Sequence, residues 1–208
     1  MSYWKKRLTA QNILVETTQL FAKDTLEFDD SHGLELAIVE GENSATNHDI
    51  LGFHGAVLLS SDPQATKTLL TSLMGLKELK SDNQHDHFET VGEEKHHIIV
   101  SVPAQPAGRF GIGTVHHIAW SVPDLTALKE WQDALQKSEN GVTELKDRNY
   151  FNSVYTVEKG KVVFEFATDG PGFEIDEDNN SLGTSLKLPA QYEHNRSMYE
   201  KLLPRLDV

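Results

Sequence analysis

An internal repeat constrains the fold of this chain more than any other feature of its sequence. The stretch "GFHGAVLLSSDPQATKTLL", which starts at residue 52, predicts a strand, a turn and a helix. The stretch "TVHHIAWSVPDLTALKEW" repeats this order about 62 residues later, and three further strands are predicted after each helix. A repeat of this length indicates that one supersecondary unit, of order β-α-β-β-β, occurs twice.

The repeat divides the chain into four segments. Residues 50–102 and 113–170 are predicted as complete βαβββ modules, and residues 1–41 as the C-terminal part of another copy. Residues 171–208 are predicted as a loop followed by a helix. The polar stretch 41–49, "GENSATNHD", predicts a linker. The fold class is therefore α+β, built from repeated modules.

The first segment is predicted to begin with a short amphipathic helix at residues 2–12, which carries Trp4 and Leu8 on its apolar side. Two strands are predicted after this helix, on either side of a polar turn at residues 29–33. The segment therefore has the α-β-β order that ends a βαβββ module.

Composition excludes several classes of function. The 208 residues carry a formal net charge of -13 and no cysteine, so nucleic acid and anionic membranes would repel the chain, and thiolate metal sites are ruled out. No apolar stretch approaches the length of a membrane span or a signal-peptide core, which predicts a cytoplasmic protein. Any metal would be bound by nitrogen and oxygen, which ten histidines and the carboxylates can supply.

Two adjacent histidines begin the first strand of the second complete module. Because side chains alternate along a strand, His117 shares one face with Ala119 and Ser121, whereas His116 shares the other with Trp120. The first face is small and polar, with room for a metal and a ligand. The pattern therefore favours His117 as the functional residue and predicts that His116 packs in the layer behind it.

Glu165 lies on the last predicted strand of the same module, between Phe164 and Phe166. A carboxylate in an apolar strand is costly to bury without a partner. A metal held together with His117 would compensate its charge, and a buried Arg or Lys would do the same. The pattern leaves both interpretations open and makes Glu165 a candidate metal ligand.

Five stretches of the chain resemble a known family. They are "GFHGAVLLSSDP", "GTVHHIAWSVPD", "DRNYFNSVY", "FEFATDGPGF" and "LGTSLKLPAQYEHNRSMYEKLLPRL". With the repeated modules, they resemble the vicinal oxygen chelate superfamily, and within it the hydroquinone- and catechol-type ring-cleaving dioxygenases. The resemblance covers nearly the whole chain. It implies a glyoxalase/bleomycin resistance/dihydroxybiphenyl dioxygenase-like fold, in which the modules form a curved mixed sheet around a metal-binding cleft.

The resemblance also implies that part of the usual architecture is absent from this sequence. Relatives of this kind have four βαβββ modules. The present chain matches the end of the second module and then the third and fourth modules. A first module, and the first strand of the second, are therefore expected to be missing.

The resemblance implies a metal held by two histidines and one carboxylate, with positions left for substrate and dioxygen. The ligand histidine of such modules stands seven residues before the turn aspartate, as His117 does before Asp124. His54 is the implied third ligand, but it stands eight residues before Asp62 and needs a β-bulge to reach the metal. A histidine of the missing module is the alternative. Fe(II) is the implied metal, with Mn(II) and Zn(II) as alternatives.

Three further residues are implied to contact the substrate. Tyr155, ten residues before Glu165, has the spacing of a tyrosine that hydrogen-bonds the substrate hydroxyl in extradiol enzymes, and a tyrosine packed in the core is the alternative. Arg148 and Tyr150 precede the same strand and could meet an anionic substrate. For Arg148 the alternative is a surface ion pair.

These features give three candidate functions. The first is a metal-dependent extradiol-type dioxygenase that acts on a small aromatic substrate with dioxygen. The second is a glyoxalase-like lyase or isomerase, in which the metal polarises a carbonyl and a carboxylate moves a proton. The third is a catalytically inactive small-molecule-binding protein, because an incomplete ligand set would hold a redox metal poorly. Exposed module edges also predict pairing of two chains in a homodimer.

Overall fold

The computed structural model describes residues 1–41 and 48–204. Most of the predicted linker at 41–49 therefore lies outside the described residues. The first compact unit contains residues 1–118 and 157–164 of the described chain, and the second contains the other described residues. The fold is of the α+β class, with three β-sheets and few helices among these residues. None of the helices in this part of the chain is long and apolar enough to cross a membrane.

The first sheet follows a short N-terminal helix and has three antiparallel strands in sequence order. The elements are α1 (Ser2–Ala10), β1 (Glu16–Leu20), β2 (Lys23–Asp29) and β3 (Glu35–Val39). Strand β1 was not predicted from the sequence. It is joined to β2 by Phe21 and Ala22, which have φ values of +56° and +59°. Two-residue hairpin turns of this kind are usually formed by Asn and Gly, so the sequence carried no turn signal there.

The other two sheets contain the two repeats and have the same strand order. In both, the first strand of the repeat pairs with the last, giving β4-β7-β6-β5 and β8-β11-β10-β9. The elements of the first repeat are β4 (Gly55–Leu58), α2 (Pro63–Thr68), a π-helix (Leu69–Leu73), β5 (Lys77–Ser81), β6 (His85–Glu89) and β7 (His97–Ser101). Those of the second are β8 (Ile118–Val122), α3 (Leu125–Lys137), β9 (Lys146–Asp147), β10 (Phe151–Val157) and β11 (Val163–Pro171).

An aspartate starts the first helix of each repeat. Asp62 accepts a hydrogen bond from the Ala65 amide at 3.0 Å, and Asp124 accepts one from the Ala127 amide at 2.9 Å. Such N-caps satisfy amides that have no partner within the helix. The Asp and Pro that recur in the sequence thus mark the point in each repeat where the first strand ends and the helix begins.

The C-terminal residues form short helices rather than strands. Within the described part of the C-terminal region, three short 3-10 helices, at Phe173–Ile175, Asn179–Ser181 and Ala190–Asn195, precede the α-helix α4 (Arg196–Leu202). The domain boundaries given above remain a prediction, since the two compact units divide the chain differently from the sequence repeat.

Each compact unit has its own apolar core. In the first unit, Leu70, Phe88, Ile98 and Val100 are at most 1% exposed. The second unit buries the inner face of α3 and stacks Trp131 on Phe166, with 4.9 Å between the ring centroids. Burial of such side chains is the main source of stability of each unit.

A buried carboxylate joins the β10–β11 turn to the start of helix α2. Glu158 is 1% exposed and accepts hydrogen bonds from the Thr66 hydroxyl at 2.9 Å, the Gly160 amide at 2.8 Å and the Val162 amide at 2.9 Å. A Cβ atom at position 160 would lie 1.9 Å from the Ser60 hydroxyl, so only glycine fits. These donors compensate the cost of burying the charge.

The first prediction concerns this carboxylate. Thr66→Val removes one donor to Glu158 and keeps the shape of the side chain, so we expect a loss of about 1–3 kcal/mol in the free energy of unfolding. Urea denaturation of the wild type and the variant measures this difference in the free energy of unfolding. Thr68→Val is the matched control, because Thr68 is exposed on the same helix. An equal loss in both variants would show that the bond to Glu158 is not the cause.

Candidate functional site

An open cavity lies over the third sheet, within the second compact unit. Its volume is about 320 Å³. Strands β8 and β11, which are neighbours in that sheet, supply most of its wall. The lining residues are Ala119, Trp120, Ser121, Phe151, Glu165, Ala167, Thr168 and Asp169.

Glu165 is the buried polar group of this cavity. It is 3% exposed, and its sequence neighbours Phe164 and Phe166 are almost fully buried. Because alternate residues of a strand share a face, Glu165, Ala167 and Asp169 lie along one side of β11, and all three line the cavity. The alternation predicted for β8 is also confirmed, since Ala119 and Ser121 are the exposed positions of that strand.

His117 is half-buried and immediately precedes β8, whereas His116 is exposed. Their Nδ1 atoms lie 2.9 Å apart, and His116 stacks on Phe110 with 4.6 Å between ring centroids. The prediction that His116 packs in an inner layer was therefore wrong. Regular strand structure begins only at Ile118, so the alternation of the strand does not extend back to the two histidines.

Arg148 and Tyr155 are brought together in the second unit. The guanidinium carbon of Arg148 lies 5.5 Å from the centre of the Tyr155 ring, and its Nη2 lies 3.5 Å from the Tyr155 hydroxyl. A cation over an aromatic face is an attractive pair. Arg148 is thus placed to orient Tyr155.

Tyr150 contacts a different part of the second unit. Its hydroxyl donates to Asp176 at 3.1 Å, and its ring lies 4.7 Å from that of Phe173. Burial raises the pKa of Tyr150 above its ordinary value, and the hydrogen bond to Asp176 acts in the same direction. Tyr150 therefore contacts the segment that follows β11 through a hydrogen bond and a ring contact.

The structure places His54 in a cluster of histidines in the first unit. Its ring lies 5.1 Å from Phe21 and 5.0 Å from His97, and His97 Nδ1 lies 3.1 Å from His87 Nε2. The Nε2 atom of His54 is buried and has no hydrogen-bond partner among the described residues. We call His54, His87 and His97 the histidine cluster.

Sequence reasoning missed the pairing of His87 with His97. His85 and His87 are neighbours on one face of β6, but His85 is exposed. The two residues that meet lie on adjacent antiparallel strands, β6 and β7, where Glu89 pairs with His97 and His87 with Ile99. Only the register between strands reveals this contact, and the sequence of a single strand does not contain it.

The carboxylate of Glu165 and the imidazole of His117 are chemical groups that can bind a divalent metal ion. Glu165 offers a buried carboxylate at the cavity wall, and His117 offers an imidazole at the start of the neighbouring strand, which are ligand types that Fe(II), Mn(II) and Zn(II) accept. Among residues 1–41 and 48–204, however, no group of three or more His, Asp or Glu side chains is arranged to hold a metal.

The fold and these residues define the class of protein. Residues 52–176 match the family model described as the Glyoxalase/Bleomycin resistance protein/Dioxygenase superfamily, and the chain belongs to this family. Membership of this superfamily implies a divalent metal site.

Several known proteins are similar over almost the whole chain. A Bacillus subtilis protein named "Putative ring-cleaving dioxygenase MhqO" is 39% identical over 98% of this chain and 69% of its own length. A second, named "Putative ring-cleaving dioxygenase MhqE", is 38% identical over 99% of this chain and 71% of its own length. A crystal structure described as "putative dioxygenase from Bacillus subtilis subsp. subtilis str. 168" covers 100% of this chain and 70% of its own, with 38% identity and a TM-score of 0.89.

The second prediction concerns the histidine cluster. Burial lowers the pKa of His54, His87 and His97 below the ordinary value of 6.5. The three imidazoles therefore bind protons at higher pH in the unfolded chain than in the folded chain. Their contribution to stability is present above pH 6.5 and is lost as the pH falls toward the lower folded-state pKa values.

Urea denaturation between pH 5 and 7.5 measures this effect. His87→Gln should make the rise of stability with pH shallower, by at most about 1.4 kcal/mol per pH unit for one proton. His85→Gln is the control, because His85 is exposed on the same strand. Identical pH profiles for the wild type and both variants would contradict the prediction.

Proposed function

We propose that this chain is a metal-dependent extradiol-type dioxygenase that opens the ring of hydroquinone- or catechol-like aromatics. The observation that carries the proposal is the position of Glu165. Its carboxylate is only 3% exposed and lies in the wall of an open cavity. The same wall contains two small residues, Ala119 and Ala167. A buried anion beside free space suits a cation and a ligand. The names of the relatives at 38–39% identity point to the same chemistry.

Glu165 and His117 are the proposed ligands of the metal. Support comes from the sheet, in which β11 and β8 are hydrogen-bonded neighbours. His54 is the proposed third ligand within this chain, and its buried Nε2 atom, which lacks a hydrogen-bond partner in the described part of the chain, suits a ligand nitrogen. Fe(II) is the proposed metal. A bound metal ion would supply the Lewis-acid and one-electron chemistry that ring opening with dioxygen requires.

The residues of the second unit would bind and orient the substrate. The apolar wall formed by Ala119, Ala167 and Phe151 would hold a planar ring and keep water from it. The Tyr155 hydroxyl would donate a hydrogen bond to the substrate oxygen that loses its proton. Arg148, which lies over the Tyr155 ring, would hold that hydroxyl in position.

The third prediction tests the carboxylate. Glu165→Gln keeps the shape of the side chain and removes its charge, so the variant should lose bound metal, and ring cleavage should fall at least a hundredfold. Metal content after anaerobic loading with Fe(II), followed by oxygen uptake with hydroquinone and catechol, measures both. Glu174→Gln, at an exposed position, should retain both. Full metal binding by Glu165→Gln would contradict the proposal.

The fourth prediction compares the histidines. His117→Ala should lose metal, whereas His116→Ala should keep it, because His116 is exposed and stacked on Phe110. The metal content of His54→Ala then tests the third ligand. Loss of metal supports His54, and retention of metal shows that another group completes the site. Equal metal content in the His116 and His117 variants would remove His117 from the ligand set.

A further inference from the structure

The cavity is lined by a second carboxylate, that of Asp169. Asp169 lies four residues further along the same face of β11, which corresponds to roughly 13 Å between the two Cα atoms at about 3.3 Å per residue. Unlike Glu165, Asp169 is exposed, so no buried charge has to be compensated there.

A hydrogen bond from the neighbouring strand fixes Asp169. The Ser121 hydroxyl of β8 donates to Asp169 Oδ1 at 2.5 Å. A carboxylate can accept about four hydrogen bonds in total. The contact with Ser121 therefore orients Asp169 and leaves it able to accept a hydrogen bond from a ligand.

The wall between the two carboxylates is small and apolar. Ala119 and Ser121 are the exposed positions of β8, and Ala167 lies between Glu165 and Asp169 on β11. Larger side chains at the two alanine positions would fill the space over the sheet. With Phe151 beside them, they form a surface on which a flat ring can lie along the strands, with one end toward Glu165 and the other toward Asp169.

We propose that Asp169, held by Ser121, accepts a hydrogen bond from the hydroxyl at the far end of a para-diol whose other oxygen lies near Glu165. This inference rests on the proposed function and makes Asp169 a specificity-determining residue. A para-diol carries hydroxyls at opposite ends of its ring and reaches both carboxylates. An ortho-diol carries both hydroxyls at one end and leaves Asp169 without a ligand donor.

Binding of diols to the protein after anaerobic incubation with Fe(II) tests the inference without ring cleavage. Trp120 lines the cavity, so quenching of tryptophan fluorescence can report a bound ring. The ligands are hydroquinone, catechol and 4-methoxyphenol, in which a methyl group blocks the second hydroxyl. Asp169→Ala should weaken hydroquinone binding by roughly tenfold or more, as expected for a hydrogen bond to a charged group, and leave catechol binding unchanged.

Two further variants make the result specific. Ser121→Ala keeps the carboxylate but frees its orientation, so it should weaken hydroquinone binding by less than Asp169→Ala does. Asp133→Asn, at an exposed position of α3, should change nothing. The wild type should bind 4-methoxyphenol more weakly than hydroquinone, and Asp169→Ala should abolish that difference. Thermal unfolding of each variant shows that the fold is retained.

The outcomes separate this inference from the proposed function. If the wild type binds metal and cleaves rings but Asp169→Ala binds all three ligands as the wild type does, only the inference fails. Equal weakening of hydroquinone and catechol, or a wild type that binds neither, also overturns it. If binding depends on Asp169 as expected but the protein holds no metal and cleaves no ring, only the proposed function fails.

Discussion

The hydrogen-bonded pairing between the first and last strands of each repeat determines where functional side chains can meet. In the first repeat this pairing is parallel, with Gly55 opposite His97, and a parallel connection needs a crossover element. Helix α2, started by Asp62 and Pro63, is part of that crossover. The same strand order in the second repeat makes the strand that follows the histidines a neighbour of the strand that carries Glu165.

The two repeats use this shared arrangement differently. In the first repeat, a Cβ atom at Gly55 would lie 2.3 Å from the His97 carbonyl oxygen and 2.9 Å from the Phe21 ring, so the surface of the sheet there is filled. In the second repeat, His117 stands at the position equivalent to Gly55, and alanines leave about 320 Å³ open. A closed surface favours stability and an open one permits binding. Because of this difference, the cavity that could bind a ligand lies in the second repeat.

The residue pattern along a single strand was enough to predict which side chains of that strand are buried and which are exposed. The alternation of small and bulky residues gave the exposed face of β8, and Phe164 and Phe166 indicated a buried strand around Glu165. The repeat itself gave the α+β class. Features that depend on contacts between strands were not predictable in this way. The bond between Ser121 and Asp169, the contact of His87 with His97, and the turn at Phe21 and Ala22 all require the register or the surrounding structure.

Charge limits which ligands the cavity can accept. The chain carries a formal net charge of -13, and Glu165 and Asp169 both line the cavity, so an anionic substrate would be repelled unless a cation were bound. A neutral phenol avoids this cost and can donate a hydrogen bond to a carboxylate. Arg148 lies against Tyr155, which favours a role in positioning that hydroxyl over direct pairing with an anion. The same two carboxylates that discourage an anionic ligand can therefore accept hydrogen bonds from a neutral one.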